Sequence, residues 1–235
     1  MRLLQLRDDG GCRLVQYVGR NVPPYAILSH TWGLDHDEVT FQDIEHGTAK
    51  HKPGYTKIHF CGMQALTDGL KYFWVDTCCI DKSSSAELSE ALNSMFRWYK
   101  AAAKCYVYLS DISTRNDLCQ SRWFTRGWTL QELLAPSSVK FFSRDHTYLG
   151  DKQSLELQIQ ERTGIALGAL QGRPLSESTV AERMSWVAGR ETTLEEDCVY
   201  CLLGIFDTYM PVLYGEGSAH AMRRLKKEIA MSACE

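Results

Sequence analysis

The stretch "RGWTLQELLAP", Arg126 to Pro136, holds one carboxylate, Glu132, inside a short apolar helix pattern, with Trp128 one turn earlier. At helical spacing Leu130, Leu133 and Leu134 form an apolar stripe, and Trp128 and Glu132 fall together on the other side. An indole beside a carboxylate offers a stacking surface next to a group that stabilises a developing cation or orients a ligand hydroxyl. The same spacing allows a plainer arrangement, with Trp128 packed on the rest of the chain and Glu132 paired with Arg126.

Other residues capable of chemistry stand where apolar runs end. "YAILS" (25–29) leads from Ser29 into His30, Thr31, Trp32 and Gly33. "YFWVD" (72–76) ends on Asp76 and continues through Thr77, Cys78 and Cys79 to Asp81, and "CYVYLS" (105–110) runs into Asp111. Hydroxyls, carboxylates and an aromatic plate make a cleft floor, although each Ser or Asp also suits the cap of a following helix or turn. Cys198 and Cys201 have C-x-x-C spacing but lie in an apolar helix pattern without a second pair, which reads as core thiols. "YGEG" (214–217) lacks the lysine of a phosphate loop and reads as a turn, and "RRLKK" (223–227) as a solvated basic face.

For the run-end residues to meet, the runs must be strands of one sheet. "YAILS", "YFWVD", "CYVYLS" and "VKFFS" (139–143) are almost continuously apolar, as strands covered on both faces are. Helical patterns separate them: 55–70, 85–102 with Ser84 and Glu87 as a capping box, and "GWTLQELL" stopped before Pro136. This alternation predicts an α/β fold with a mostly parallel sheet and crossover helices, and ligands outside the carboxyl ends of its strands. From about residue 152 the pattern turns helical, with capping boxes at Thr179/Glu182 and Thr193/Glu196 and a last helix in "SAHAMRRLKKEIAM". We expect one domain over 1–235, an α/β core at about 20–150 and an all-helical extension at about 151–235 packed on it.

A net charge of -3 argues against a chain built to hold nucleic acid, and no run approaches the length of a membrane span. Nine scattered cysteines without a secretory signal read as reduced thiols of a cytoplasmic protein.

"PPYAILSHTWG", "YFWVDTCCIDKSSSAELSEALNSMFRWYKAAAKCYVYLSD", "SRWFTRGWTLQELLAP", "ERMSWVAGRETTLEEDCVYCLLGIF" and "MPVLYGEG" resemble, in order, the blocks of the fungal heterokaryon-incompatibility (HET) domain. His146 stands where that family usually has a tryptophan. The resemblance implies a fungal non-self-recognition protein that triggers cell death when incompatible cells fuse. It also implies self-association and a receptor with nucleotide-binding and repeat modules, in the same chain or another. HET domains are in turn similar to TIR domains, of flavodoxin-like fold, many of which hydrolyse NAD with one helical glutamate. "GWTLQEL" is similar to the motif that carries it, with Thr129 in place of the usual cysteine. The resemblance therefore implies Glu132 as the catalytic residue, and NAD as substrate rather than cofactor. Ser29, Trp32, Asp76 and Trp128 would then bind that substrate, with Asp76 on ribose. The competing expectation is a non-enzymatic, self-associating signalling module.

Overall fold

The computed structural model describes residues 1–19 and 21–232, so the core boundary read at residue 20 and the last three residues fall outside it. Its centre is a seven-stranded sheet in the order β2-β1-β4-β3-β5-β6-β7. The strands are β1 (Arg2–Leu6), β2 (Cys12–Gln16), β3 (Tyr25–His30), β4 (Tyr72–Trp74), β5 (Lys104–Leu109), β6 (Val139–Ser143) and β7 (Tyr148–Asp151). The four apolar runs are the four parallel strands β4-β3-β5-β6. Numbered along the chain, they stand 2-1-3-4, the start of the flavodoxin-like order, whose switch point lies between the first and third strands. All six residues of β3 are buried, as its central place requires.

The sheet is mixed rather than purely parallel. β1 and β2 form a hairpin joined to β4, and β7 runs antiparallel to β6. These three strands were not foreseen. The hairpin turn "RDDGG" breaks the apolar pattern, and β2 keeps no buried residue to mark it. Its Gly10, at φ 73°, adopts the left-handed backbone that favours glycine.

The helices are α1 (Phe41–Glu45), α2 (Tyr55–Thr67), α3 (Asp76–Cys79), α4 (Ser85–Ala101), α5 (Thr129–Leu134), α6 (Glu156–Thr163), α7 (Leu167–Leu170), α8 (Val180–Ser185), α9 (Asp197–Tyr200) and α10 (Ser218–Ser232). Helices cover both sheet faces, and neighbouring residues of β5 reach opposite layers. Tyr106 Oη donates to Asp68 at the end of α2 at 2.7 Å, whereas Cys105 Sγ donates to the Glu132 carbonyl in α5 at 3.8 Å. Tyr25 Oη donates to the Trp98 carbonyl at 2.6 Å and Tyr99 Oη to the Leu28 carbonyl at 2.8 Å, which ties α4 to β3.

Two of the expected capping boxes take other forms. Ser84 Oγ accepts from the Glu87 N–H, but the Glu87 carboxylate accepts from the Asp81 N–H and pairs with Arg2 instead of returning to Ser84. The Thr193/Glu196 box does not form, because Glu196 accepts from the N–H groups of Gly215 and Gly217 and holds the "YGEG" turn against α9. The Thr179/Glu182 box is complete, although α8 ends at Ser185 and the apolar stretch after Asp197 breaks into α9 and a 3-10 turn, Leu203–Ile205. No described helix is long and apolar enough to cross a membrane. His146 stacks on Phe60 with ring centroids 4.8 Å apart.

Candidate active site

Helix α5 is buried along its whole length, Glu132 included, at 6% exposure. The expected polar face is covered because the C-terminal segment closes over the start of the helix. The Gly127 N–H donates to the Glu191 carbonyl at 2.9 Å, the Glu191 N–H donates to Thr125, and Arg190 Nη1 donates to the Arg126 carbonyl and to Thr129 Oγ1. A side chain at position 127 would meet Thr192 Cγ2 at 2.5 Å, so a glycine is needed for this approach.

The Glu132 carboxyl turns toward the end of β3. Ser29 Oγ donates to its Oε2 at 2.5 Å, and the buried Trp123 Nε1 donates to Ser29 Oγ at 2.8 Å. An indole, a hydroxyl and a carboxyl thus form one chain of hydrogen bonds inside the protein. Burial pushes the Glu132 pKa up to about 8. The bond from Ser29 works against this rise and the Asp76 charge adds to it. The expected alternative, an ion pair with Arg126, does not form, since Arg126 Nη2 donates to Thr193 Oγ1 at 3.2 Å.

Glu132 lines a cleft of about 520 Å³, a size that suits a small organic ligand. The cleft opens at the carboxyl ends of the parallel strands. One wall follows β3 and β4. There the Asp76 carboxylate receives Trp32 Nε1 at 2.8 Å and lies 2.8 Å from His30 Nε2. Burial works to raise the Asp76 pKa, but the His30 ring, the Lys82 ammonium and the Trp32 N–H outweigh it and hold it below the usual carboxylate range. Arg122 braces this wall, donating to Thr31 Oγ1 and, at 2.7 Å, to the Trp32 carbonyl. The opposite wall holds Trp128, Arg126, Thr193, Leu194, Asp197 and Tyr214. Burial raises the Asp197 pKa against hydrogen bonds from Trp128 and from Tyr214, whose Oη donates at 2.9 Å.

Of the five residues singled out in the sequence, Trp32, Asp76, Trp128 and Glu132 line the cleft. Ser29 does not line it but lies beneath, fully buried, as the support of Glu132. Trp128 is half-buried rather than exposed, its ring packed on the core. Sequence reasoning missed Trp123, Lys82, Arg122, Asp197 and Tyr214. The signal for the tail residues was their place in the quoted blocks "TTLEEDCVY" and "MPVLYGEG", which spacing alone did not connect to Glu132. Among the described residues no group of His, Cys, Asp and Glu side chains is gathered to hold a metal ion. Cys78, Cys79 and Cys201 are buried free thiols. Chemically, the cleft offers a carboxyl of raised pKa at its floor, an indole held by the Asp76 carboxylate in one wall, a second indole in the other and cations at its edges.

Residues 25–117 match the family model described as heterokaryon incompatibility protein (HET). That stretch includes Ser29, Trp32 and Asp76 and stops short of Trp128 and Glu132. The chain is 54% identical, over 241 aligned positions covering 97% of its length, to the vegetative incompatibility protein HET-E-1 of Podospora anserina. It spans 18% of that relative's length. No solved structure matches it. The chain belongs to the heterokaryon-incompatibility (HET) domain family.

Proposed function

We propose that this chain is an effector domain that triggers cell death in fungal vegetative incompatibility, and that it acts by hydrolysing NAD at the nicotinamide–ribose bond. The name of the Podospora relative supports the biological role. The observation that carries the chemistry is Glu132, a carboxyl held by Ser29 at the floor of a ligand-sized cleft beside the β3/β5 switch point. The parallel-strand order and the "GWTLQEL" motif support the TIR-like reading.

The C1′–N bond breaks with both electrons leaving on nicotinamide, and ribose C1′ becomes an oxocarbenium-like centre. The Glu132 carboxylate stabilises that charge, water adds to C1′, and the released proton passes to the carboxylate or to solvent. The raised pKa, near 8, means that Glu132 holds its proton far more tightly than an ordinary carboxyl before substrate binds. The positive nicotinamide ring, on entering, favours the ionised form. Trp32 and Trp128 supply stacking faces, and Asp76 accepts from ribose hydroxyls. We place the domain in the cytoplasm, as one unit over 1–235, self-associating and driven by a receptor with nucleotide-binding and repeat modules.

The second reading is a non-enzymatic module that signals by self-association. It rests on the exposed Tyr209, Leu213 and Tyr214 of the C-terminal segment, close together in sequence, which suit a protein contact. Expression of wild type and Glu132→Ala in a fungal host separates the two. Loss of killing by the variant at equal protein level supports the enzyme, and undiminished killing supports the module.

A further inference from the structure

The face of Trp32 is already in use. The Lys82 ammonium sits 3.5 Å from the centroid of its ring. Lys82 is an exposed residue of the turn before α4, and it forms no ion pair among the described residues. The ring beneath it is fixed at both ends. Its Nε1 donates to the Asp76 carboxylate at 2.8 Å, and its own carbonyl receives Arg122 Nη2 at 2.7 Å. An indole that donates to a carboxylate becomes richer in electrons on its face, which strengthens the attraction for a cation lying there. Trp32 keeps 39% of its surface open, and both it and Lys82 line the cleft of Glu132.

We propose that the Trp32 face is a seat for a positively charged aromatic ring, an N-substituted pyridinium, and that Lys82 occupies this seat as a built-in competitor until such a ring displaces it. This deepens the NAD reading, because it names the charged, oxidised ring as the recognised group. Displacement gives up the ammonium's attraction to Asp76, which the entering positive ring replaces, and the freed ammonium swings into water on a long flexible stem. A neutral ring of the same shape gains the stacking area but not the charge, and so competes poorly with Lys82. The seat thereby favours cationic over neutral rings.

The test uses two small probes, the 1-methylnicotinamide cation and neutral nicotinamide, titrated against the whole chain by tryptophan fluorescence or calorimetry. Wild type is compared with Lys82→Met, Lys82→Arg and Trp32→Leu, each checked for an unchanged melting temperature. Lys82→Met is expected to bind the cation about 3- to 10-fold more tightly, the range of one cation–π contact, and nicotinamide no more than marginally better. Lys82→Arg, which restores the cap, returns to wild-type affinity or below. Trp32→Leu abolishes the preference for the cation. Equal gains for both probes in Lys82→Met, or a preference that survives Trp32→Leu, overturn the proposal. NAD turnover is followed on the same proteins. Turnover with cation binding indifferent to Lys82 removes the seat and leaves the NAD reading intact. The expected binding pattern without turnover retains the seat and removes that reading.

Discussion

Glu132 has a native pKa near 8 against an ordinary value of 4.5. Between those values the folded protein keeps a proton that the unfolded chain releases. Stability therefore falls as pH rises across that window, by about 1.4 kcal/mol per unit at full effect. Glu132→Gln keeps an acceptor for Ser29 and does not titrate. It should melt several degrees above wild type at pH 8 and converge with it toward pH 5, as followed by calorimetry. For the reaction the ionised form is needed, so kcat/KM should climb with pH to a plateau above about 8, and the kcat profile should lie at lower pH because the bound nicotinamide ring is positively charged. Ser29→Ala removes a bond that lowers the Glu132 pKa and strands the Trp123 N–H. We expect the kcat/KM profile to move alkaline by about one unit and stability to drop by about 1–3 kcal/mol. Trp32, Asp76 and Glu132 were legible because strand ends and a helix motif mark them locally. Ser29 was legible as a residue but not as a support, and Trp123 not at all, since their meeting joins positions 94 residues apart.

Elements with a period were legible, and elements shaped by their neighbours were not. α4 shows its apolar stripe because one face meets the core. α5 was read as two-faced, yet the segment around Glu191 covers the second face, and a local pattern carries no trace of that cover. Two glycines record how closely the C-terminal segment docks. A Cβ at Gly204 would lie 2.1 Å from Phe96 Cβ of α4, and one at Gly127 would lie 2.5 Å from Thr192 Cγ2. Gly204→Ala should cost about 1–3 kcal/mol or more, read from the urea midpoint. Gly127→Ala should be destabilising alone and partly rescued by Thr192→Ser. That second change removes the clashing methyl and keeps the hydroxyl that donates to the Leu194 carbonyl at 2.7 Å.

At the scale of the molecule, the cleft belongs to both halves of the chain. The end of β3 and the segments that follow β3 and β4 supply His30, Trp32 and Asp76, and the C-terminal segment supplies Thr193, Leu194, Asp197 and Tyr214. A chain cut after residue 151 would lose that second wall and uncover α5. We expect it to aggregate or to lose its near-ultraviolet circular dichroism, whereas the full chain unfolds in one transition. The α/β class and the helical tail could be read from the order of apolar runs. The shared cleft could not, because it is made by packing between segments that carry no common motif. The central claim is that this cleft cleaves NAD through Glu132. The direct measurement is nicotinamide release from NAD by concentrated purified protein, for wild type and Glu132→Gln, under conditions that promote assembly. Wild type should release nicotinamide and ADP-ribose in equal amounts, and Glu132→Gln, folded and at least as stable, should do so at a rate at least ~100-fold lower. Equal rates for the two proteins, or no release by a wild-type protein that still kills cells, would contradict the claim.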